Sequence, residues 1–161
     1  MEYNRRRHSV YLLTYHIVFV TKYRRPCISD ELGDFLKDLC QSLVEIRGGE
    51  LLSAETDRDH VHLLVSLPPA EAPAAVVRII KARTSRVVHE DPKWDAQVQP
   101  YLRGNGPLWA PSYFIATTGT SVLEKIKAYI DSQRTEEHQQ KYAGRKSQPK
   151  PSDCAPCAQK E

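Results

Sequence analysis

No apolar run in this 161-residue chain approaches the ~18 residues that a membrane span requires, which excludes an integral helical membrane protein. Cysteine is scarce: Cys27, Cys40, Cys154 and Cys157 are too few and too unevenly spaced for a secreted disulfide framework. The opening residues carry arginines but no apolar signal core, so a cytoplasmic address is expected. No internal repeat is present. What is there looks ordinary: 40% hydrophobic and 27% charged residues fit a soluble protein, and the length fits one domain. A chain of this size buries enough surface to fold without covalent staples, so collagen, long coiled coil and wholesale disorder are also excluded.

The net charge of +3 conceals a segregated pattern. Residues 1–25 carry Arg5, Arg6, Arg7, Lys22, Arg24 and Arg25 against Glu2, and residues 76–90 carry Arg78, Lys81, Arg83 and Arg86 against Glu90. Between them, residues 29–59 hold nine acids against Lys37, Arg47 and Arg58. One basic and one acidic surface are expected, with a polyanion as a partner of the first; a solvated charged face is the commoner meaning of such runs.

Residues Val10 to Val20 are β-branched and aromatic and predict one long buried strand, ended by Arg24-Arg25-Pro26. Ser29 suits an N-cap, and Leu32, Phe35, Leu36, Leu39, Leu43 and Ile46 recur at helical spacing up to Gly48-Gly49. Leu51–Thr56 and His60–Leu67 predict a hairpin. Pro73 opens a second helix, with Val76, Ile79, Ile80 and Val87 as its apolar stripe. Residues 91–107 predict a long loop, and Leu108–Thr118 a fourth strand with Pro111 at an edge or bulge. A capping box at Ser121–Glu124 opens a third helix to about His138. This order predicts an α+β fold: a ferredoxin-like (RRM-like) antiparallel sheet with helices on one face, plus a C-terminal helix. Residues 1–140 form the expected domain and 141–161 a disordered basic, proline-rich tail. Cys154 and Cys157 have the spacing of a thiolate pair, but a zinc site needs four ligands and the tail supplies no others. Two thiols in a flexible tail is the favoured reading.

The informative pair is His60 and His62. Strand side chains alternate, so both imidazoles point to one face while Val61, Leu63 and Val65 point to the other. Such a pair either directs two nitrogens at one divalent cation or is held by hydrogen bonds on a half-exposed sheet. On the third helix, Tyr129 and Gln133 are four residues apart and share a face flanked by Ile126 and Ile130. A glutamine facing the protein body needs partners for its amide, and its carbonyl oxygen can complete a site begun by the histidines. A mixed nitrogen and oxygen set of His60, His62 and Gln133 suits Mg²⁺ or Mn²⁺.

The pattern resembles the TnpA-type single-tyrosine HUH transposases of minimal bacterial insertion sequences, the insertion-sequence 200-like family. The resemblance runs through His8–Tyr11, Tyr15–Pro26, Asp59–Leu64, Pro111–Phe114 and Lys127–Gln133, in this order over most of the chain. It implies the fold already described, with the third helix carrying the nucleophile. The family's histidine motif falls on His60 and His62, its nucleophile on Tyr129, and its helix-borne metal ligand on Gln133. The resemblance further implies metal-assisted cleavage and rejoining of single-stranded DNA at element ends, through a 5′-phosphotyrosine, with recognition of subterminal hairpins. A homodimer is implied, in which the tyrosine helix of one subunit completes the site of the other and strand Val10–Val20 helps build a joint sheet. Arg5, Arg6, Arg7, Lys22, Arg24 and Arg25 are the candidate DNA-binding residues, with Arg78, Lys81, Arg83 and Arg86 behind them; Asp57 and Asp59 are candidates to orient the histidines. Three alternatives stay open: a related single-tyrosine enzyme acting on chromosomal repeats, a metal hydrolase with water as nucleophile, and a non-catalytic module for single-stranded nucleic acid.

Overall fold

A computed structural model describes residues 3–102 and 106–118 of the chain. Four strands form the main sheet: β3 (Thr14–Val20), β4 (Glu50–Asp57), β5 (His60–Ser66) and β6 (Phe114–Thr117), in the order β4-β5-β3-β6. Every neighbouring pair is antiparallel, and helices α1 (Asp30–Ile46) and α2 (Pro73–Glu90) connect the strands. This is the expected ferredoxin-like arrangement. A separate hairpin pairs β1 (Asn4–Arg6) with β2 (Ser9–Tyr11). The expected third helix, with Tyr129 and Gln133, and the tail beyond it lie outside the described residues. Among the described residues no helix is long and apolar enough to cross a membrane.

Alternation sorts the sheet into two faces. Ile17, Phe19, Val61, Leu63 and Val65 are buried in one core with Leu32, Leu36, Cys40 and Val44 of α1 and Val76, Val77, Ile80 and Val88 of α2. Helix α1 follows its sequence signals closely. Ser29 Oγ accepts from Leu32 N at 3.2 Å, and at the other end Gly48 takes a φ of 71°. Gly48 N donates to Glu45 O at 2.7 Å and Gly49 N to Val44 O at 3.0 Å, which closes the helix as a Schellman turn.

Five expectations are corrected. The apolar run Val10–Val20 is two strands, because β5 reaches only Ser66, opposite Thr14, and Pro68-Pro69 follows. Leu13 O still accepts from Leu67 N at 3.0 Å, the ladder stops at the prolines, and Ser9–Tyr11 pairs with β1 instead. Residues 91–107 include a helix, α3 (Pro92–Val98): Asp91 caps it by accepting from Lys93 N at 2.9 Å, and Trp94 and Val98 bury one side of two turns. Its proline is a helix opener, not a breaker. The fourth strand covers only Phe114–Thr117, since Lys81 Nζ draws the carbonyls of Ala110, Pro111 and Ser112 off any ladder, at 2.6, 2.9 and 3.2 Å. Upstream, Trp109 makes a single bridge to Thr21. The stripe of α2 is Val76, Val77, Ile80, Thr84 and Val88, not Ile79 and Val87; Ile46, the last residue of α1, is 78% exposed. Thr84 belongs in that stripe because its hydroxyl donates to Ile80 O (2.7 Å) and accepts from Trp109 Nε1 (2.8 Å), leaving nothing polar unpaired.

Gly33 marks a close approach of α1 to the sheet. A Cβ there would meet the Thr56 hydroxyl at less than contact distance and stand 3.2 Å from Thr56 Cβ. Gly33→Ala should therefore destabilise the protein by about 1–3 kcal/mol, despite the ~1 kcal/mol advantage of alanine in an open helix. In a Thr56→Ala background the same change should cost clearly less. Urea denaturation of the four proteins in that cycle checks this; an equal cost in both backgrounds would place the crowding elsewhere.

Candidate active site

The face of the sheet turned away from the helices carries the histidines. Pairing of β3 with β5 sets Val18 opposite His62 and Val20 opposite His60, and β4 adds Glu55 beside His62 and Asp57 beside His60. His16, two residues before Val18, shares this face as a diagonal neighbour of His62. The rings of His60 and His62 stand 4.9 Å apart between centroids at 74°, and those of His16 and His62 lie end to end, 5.4 Å apart and within 16° of coplanar. Phe114, 56% exposed on strand β6, meets His16 edge-on at 6.0 Å.

Each of the two sequence-predicted histidines is oriented through its Nδ1 atom. His60 Nδ1 lies 2.5 Å from Asp59 Oδ1, and Asp59 Oδ2 lies 3.5 Å from Arg24 Nε. The hydrogen bond to His60, with the positive charge of Arg24 nearby, holds the Asp59 carboxyl below its usual range although partial burial opposes this. His62 Nδ1 lies 3.1 Å from His16 Nε2. Burial, reinforced by the charges of His60 and His16, lowers the pKa of His62 to about 4, against the pull of Asp57. Burial also lowers that of His16. A metal-binding histidine must be neutral and offer one bare ring nitrogen. With both Nδ1 atoms engaged, Nε2 of His60 and Nε2 of His62 are the ring nitrogens left for a cation, so this donor set fits a divalent ion. Among the described residues no group of three His, Cys, Asp or Glu side chains is gathered to hold a metal. Further donors must come from water, substrate or elsewhere in the chain, and Gln133, the expected third ligand, lies outside the described residues.

The two candidate orienting acids divide. Asp59 takes His60, whereas Asp57 accepts from Arg58 N at 2.7 Å in the β4–β5 turn. The candidate DNA-binding residues divide as well. Lys22, Arg24 and Arg25 follow the end of β3 in a tight turn with Tyr23 and Arg24 at positive φ (60° and 52°), and Thr21 N donates to Asp59 O at 2.8 Å. This basic loop therefore borders the histidines. Arg5, Arg6 and Arg7 sit on or beside β1, whose Asn4 Nδ2 donates to Ser66 Oγ at 2.7 Å, at the far end of β5 from His60. Six residues of strand, roughly 20 Å, separate the two clusters. Arg6 is further engaged by Gly48 O at 2.8 Å. In α2, Lys81 holds three carbonyls and Arg86 pairs with Glu90 at 2.7 Å, while Arg78 and Arg83 are exposed. Cys27 and Cys40 are buried, and burial raises their thiols to about 11 and 12, which makes them inert.

Comparison with known proteins places the chain in a family. Residues 9–133 match the family model described as "Transposase IS200 like". The chain belongs to the IS200-like transposase family. The ISDra2 transposase TnpA of Deinococcus radiodurans is 34% identical over 137 residues, which cover 85% of this chain and 95% of that protein. A crystal structure of a Deinococcus radiodurans R1 protein assigned as a transposase aligns with a TM-score of 0.64 at 32% identity, over 81% of this chain and 97% of the other. A REP-associated tyrosine transposase bound to a REP hairpin aligns with a TM-score of 0.50 over 81% of this chain and 69% of its own. At 14% identity, that match establishes a shared fold.

Sequence reasoning missed His16 as a member of the site. Its signal was available: a lone imidazole in the middle of an otherwise apolar strand, in phase with Val18 and Val20. Only the β3–β5 register shows which residues it neighbours.

The protonation of this cluster has a sign. His62 titrates near 6.5 in an unfolded chain and near 4 here, so the unfolded state takes up the proton first as pH falls. The stability contributed is present above about pH 6.5 and is lost progressively toward pH 4. His16 acts in the same direction. Urea midpoints for the metal-free protein should fall between pH 7 and pH 5, and His62→Gln should flatten that slope; a midpoint unchanged over this range would contradict the account.

Proposed function

We propose that this transposase cleaves and rejoins single-stranded DNA at the ends of an insertion sequence, using Tyr129 as nucleophile and a divalent cation, Mg²⁺ or Mn²⁺, held by His60, His62 and Gln133. The observation that carries the reading is the His60–His62 pair on the sheet face opposite the helices, each ring fixed through Nδ1, in a chain that belongs to the IS200-like transposase family. When bound, the cation supplies Lewis-acid stabilisation of charge on a non-bridging phosphate oxygen and orients the scissile group.

The rest of the chemistry falls to the chain. The Tyr129 hydroxyl gives up its proton as its oxygen bonds to phosphorus, the bond from phosphorus to the 3′-oxygen breaks, and that oxygen leaves and is protonated to a 3′-hydroxyl. A 5′-phosphotyrosine remains. Another 3′-hydroxyl then attacks that phosphorus and gives up its proton, the bond from phosphorus to the Tyr129 oxygen breaks, and Tyr129 is reprotonated, which rejoins DNA without ATP. A phenol with pKa ~10 is a weak nucleophile at neutral pH, so positioning and charge stabilisation must supply the rate. Asp59 holds His60 in place and is itself braced by Arg24. Lys22, Arg24 and Arg25 border the histidines and suit the backbone of the strand being cut, contributing position and not sequence. Subterminal hairpins are the recognition elements in this reading. The hairpin in the complex of the fold relative, a REP-associated tyrosine transposase, supports it. The active protein is a homodimer whose sites combine the histidines of one subunit with the tyrosine helix of the other, acting in the cytoplasm.

Labelled single-stranded and duplex oligonucleotides from the flanks of the gene, incubated with protein and Mg²⁺ or Mn²⁺ and run on a denaturing protein gel, test this. A covalent band should form with the single strand and vanish with EDTA or in Tyr129→Phe. His60→Ala or His62→Ala should slow cleavage by about 100-fold or more, since the Lewis acid is worth several kcal/mol. Mixing Tyr129→Phe with the His60→Ala/His62→Ala protein should restore part of the activity if sites are shared between subunits, and none if each subunit acts alone. Cutting that leaves no adduct and survives Tyr129→Phe would identify a hydrolase. Binding without cutting would identify a non-catalytic module, and cleavage confined to dispersed chromosomal repeats a repeat-processing enzyme.

A further inference from the structure

We infer that His16 is a positioning residue: its Nε2 accepts the Nδ1–H of His62 and thereby fixes the tautomer and ring direction with which His62 meets the cation. The inference deepens the metal-site reading above and rests on it. His60 and His62 are held by unlike partners. Asp59, the neighbour of His60 in sequence, holds its Nδ1, whereas the Nδ1 of His62 is 3.1 Å from an imidazole on a different strand. A neutral imidazole carries one N–H. If Nε2 of His62 gives its lone pair to a metal, the proton must sit on Nδ1 and needs an acceptor in that direction. His16 Nε2 is the group there. To accept, it must be bare, so His16 carries its own proton on Nδ1. The two rings lie end to end and within 16° of coplanar, which aims the two nitrogens at each other, and the edge contact from Phe114 limits where the His16 ring can turn. Partners that orient metal-bound histidines in this way raise affinity by about 10–100-fold.

The geometry dictates which substitutions distinguish this role from simple packing. In His16→Gln the side-chain carbonyl reaches about as far as Nε2 and restores an acceptor, whereas His16→Leu keeps apolar bulk and removes it. Mn²⁺ binding to the full chain without DNA, followed by electron paramagnetic resonance of the free ion, should weaken about 10–100-fold in His16→Leu. His16→Gln should recover most of that loss. Thermal melts of the apo-proteins show whether each variant is folded. In wild type saturated with diamagnetic Mg²⁺, long-range ¹H–¹⁵N spectra should show His62 protonated on Nδ1 and His16 bare on Nε2. Wild-type affinity in His16→Leu, equal weakness in a folded His16→Gln, or a proton on His16 Nε2 would overturn the inference and leave the metal site standing. If wild type and His60→Ala bind Mn²⁺ equally, or neither binds it, the metal-site reading fails and the role of His16 falls with it.

Discussion

The antiparallel pairing of β3 with β5 is the constraint on which the rest of this molecule depends. These strands occupy the centre of the sheet, and their register puts Ile17, Phe19, Val61, Leu63 and Val65 on the helix side. The same register puts His16, His60 and His62 together on the other. A slip of one residue would invert every side chain of one strand, exposing core residues and burying imidazoles. The hydrophobic core thus holds the candidate site in register, and the site needs no device of its own to bring its two sequence-predicted ligands to one face.

Around that centre, the chain positions the site with bonds that are not part of its chemistry. The turn after β3 is tied to Asp59 through Thr21, which keeps Arg24 within reach of the carboxylate that holds His60. On the other flank, Lys81 gathers three carbonyls from the segment before β6, fixing the approach to Phe114. Thr84 and Trp109 anchor that segment to α2, and the indole of Trp109 packs edge-on against Phe19 at 4.7 Å. A basic residue in α2 that reads as a phosphate contact in the sequence is therefore a brace for the loop beside the site.

The elements with strong periodicity were legible in the sequence: the capped helix α1, the β4–β5 hairpin and the helix opened by Pro73. So was the histidine pair, because alternation alone sets His60 and His62 on one face. What could not be read depends on partners distant in sequence. The run Val10–Val20 looks continuous until its partner strand stops at Ser66, and Ala110–Ser112 looks extended until Lys81 captures its carbonyls. Helix α3 is short, and its Pro92 signals a start as readily as a break. A single histidine carries no spacing, so the meaning of His16 arises only from its contact with His62 across the β3–β5 pair. The charge runs gave basic segments correctly but not their separation, since Arg5–Arg7 and the Lys22–Arg25 loop fall at opposite ends of the sheet.

Recording the histidine ring signals during titration with substoichiometric Mn²⁺ tests the central claim, that this face is a cation site, most directly. The ion's unpaired electrons broaden the nuclei nearest to it. The account predicts that the rings of His60 and His62 broaden first and together, while His89, held elsewhere by Asp95 and Gly106, stays sharp. Broadening that spares His60 and His62, or that spreads evenly over all histidines, would contradict it.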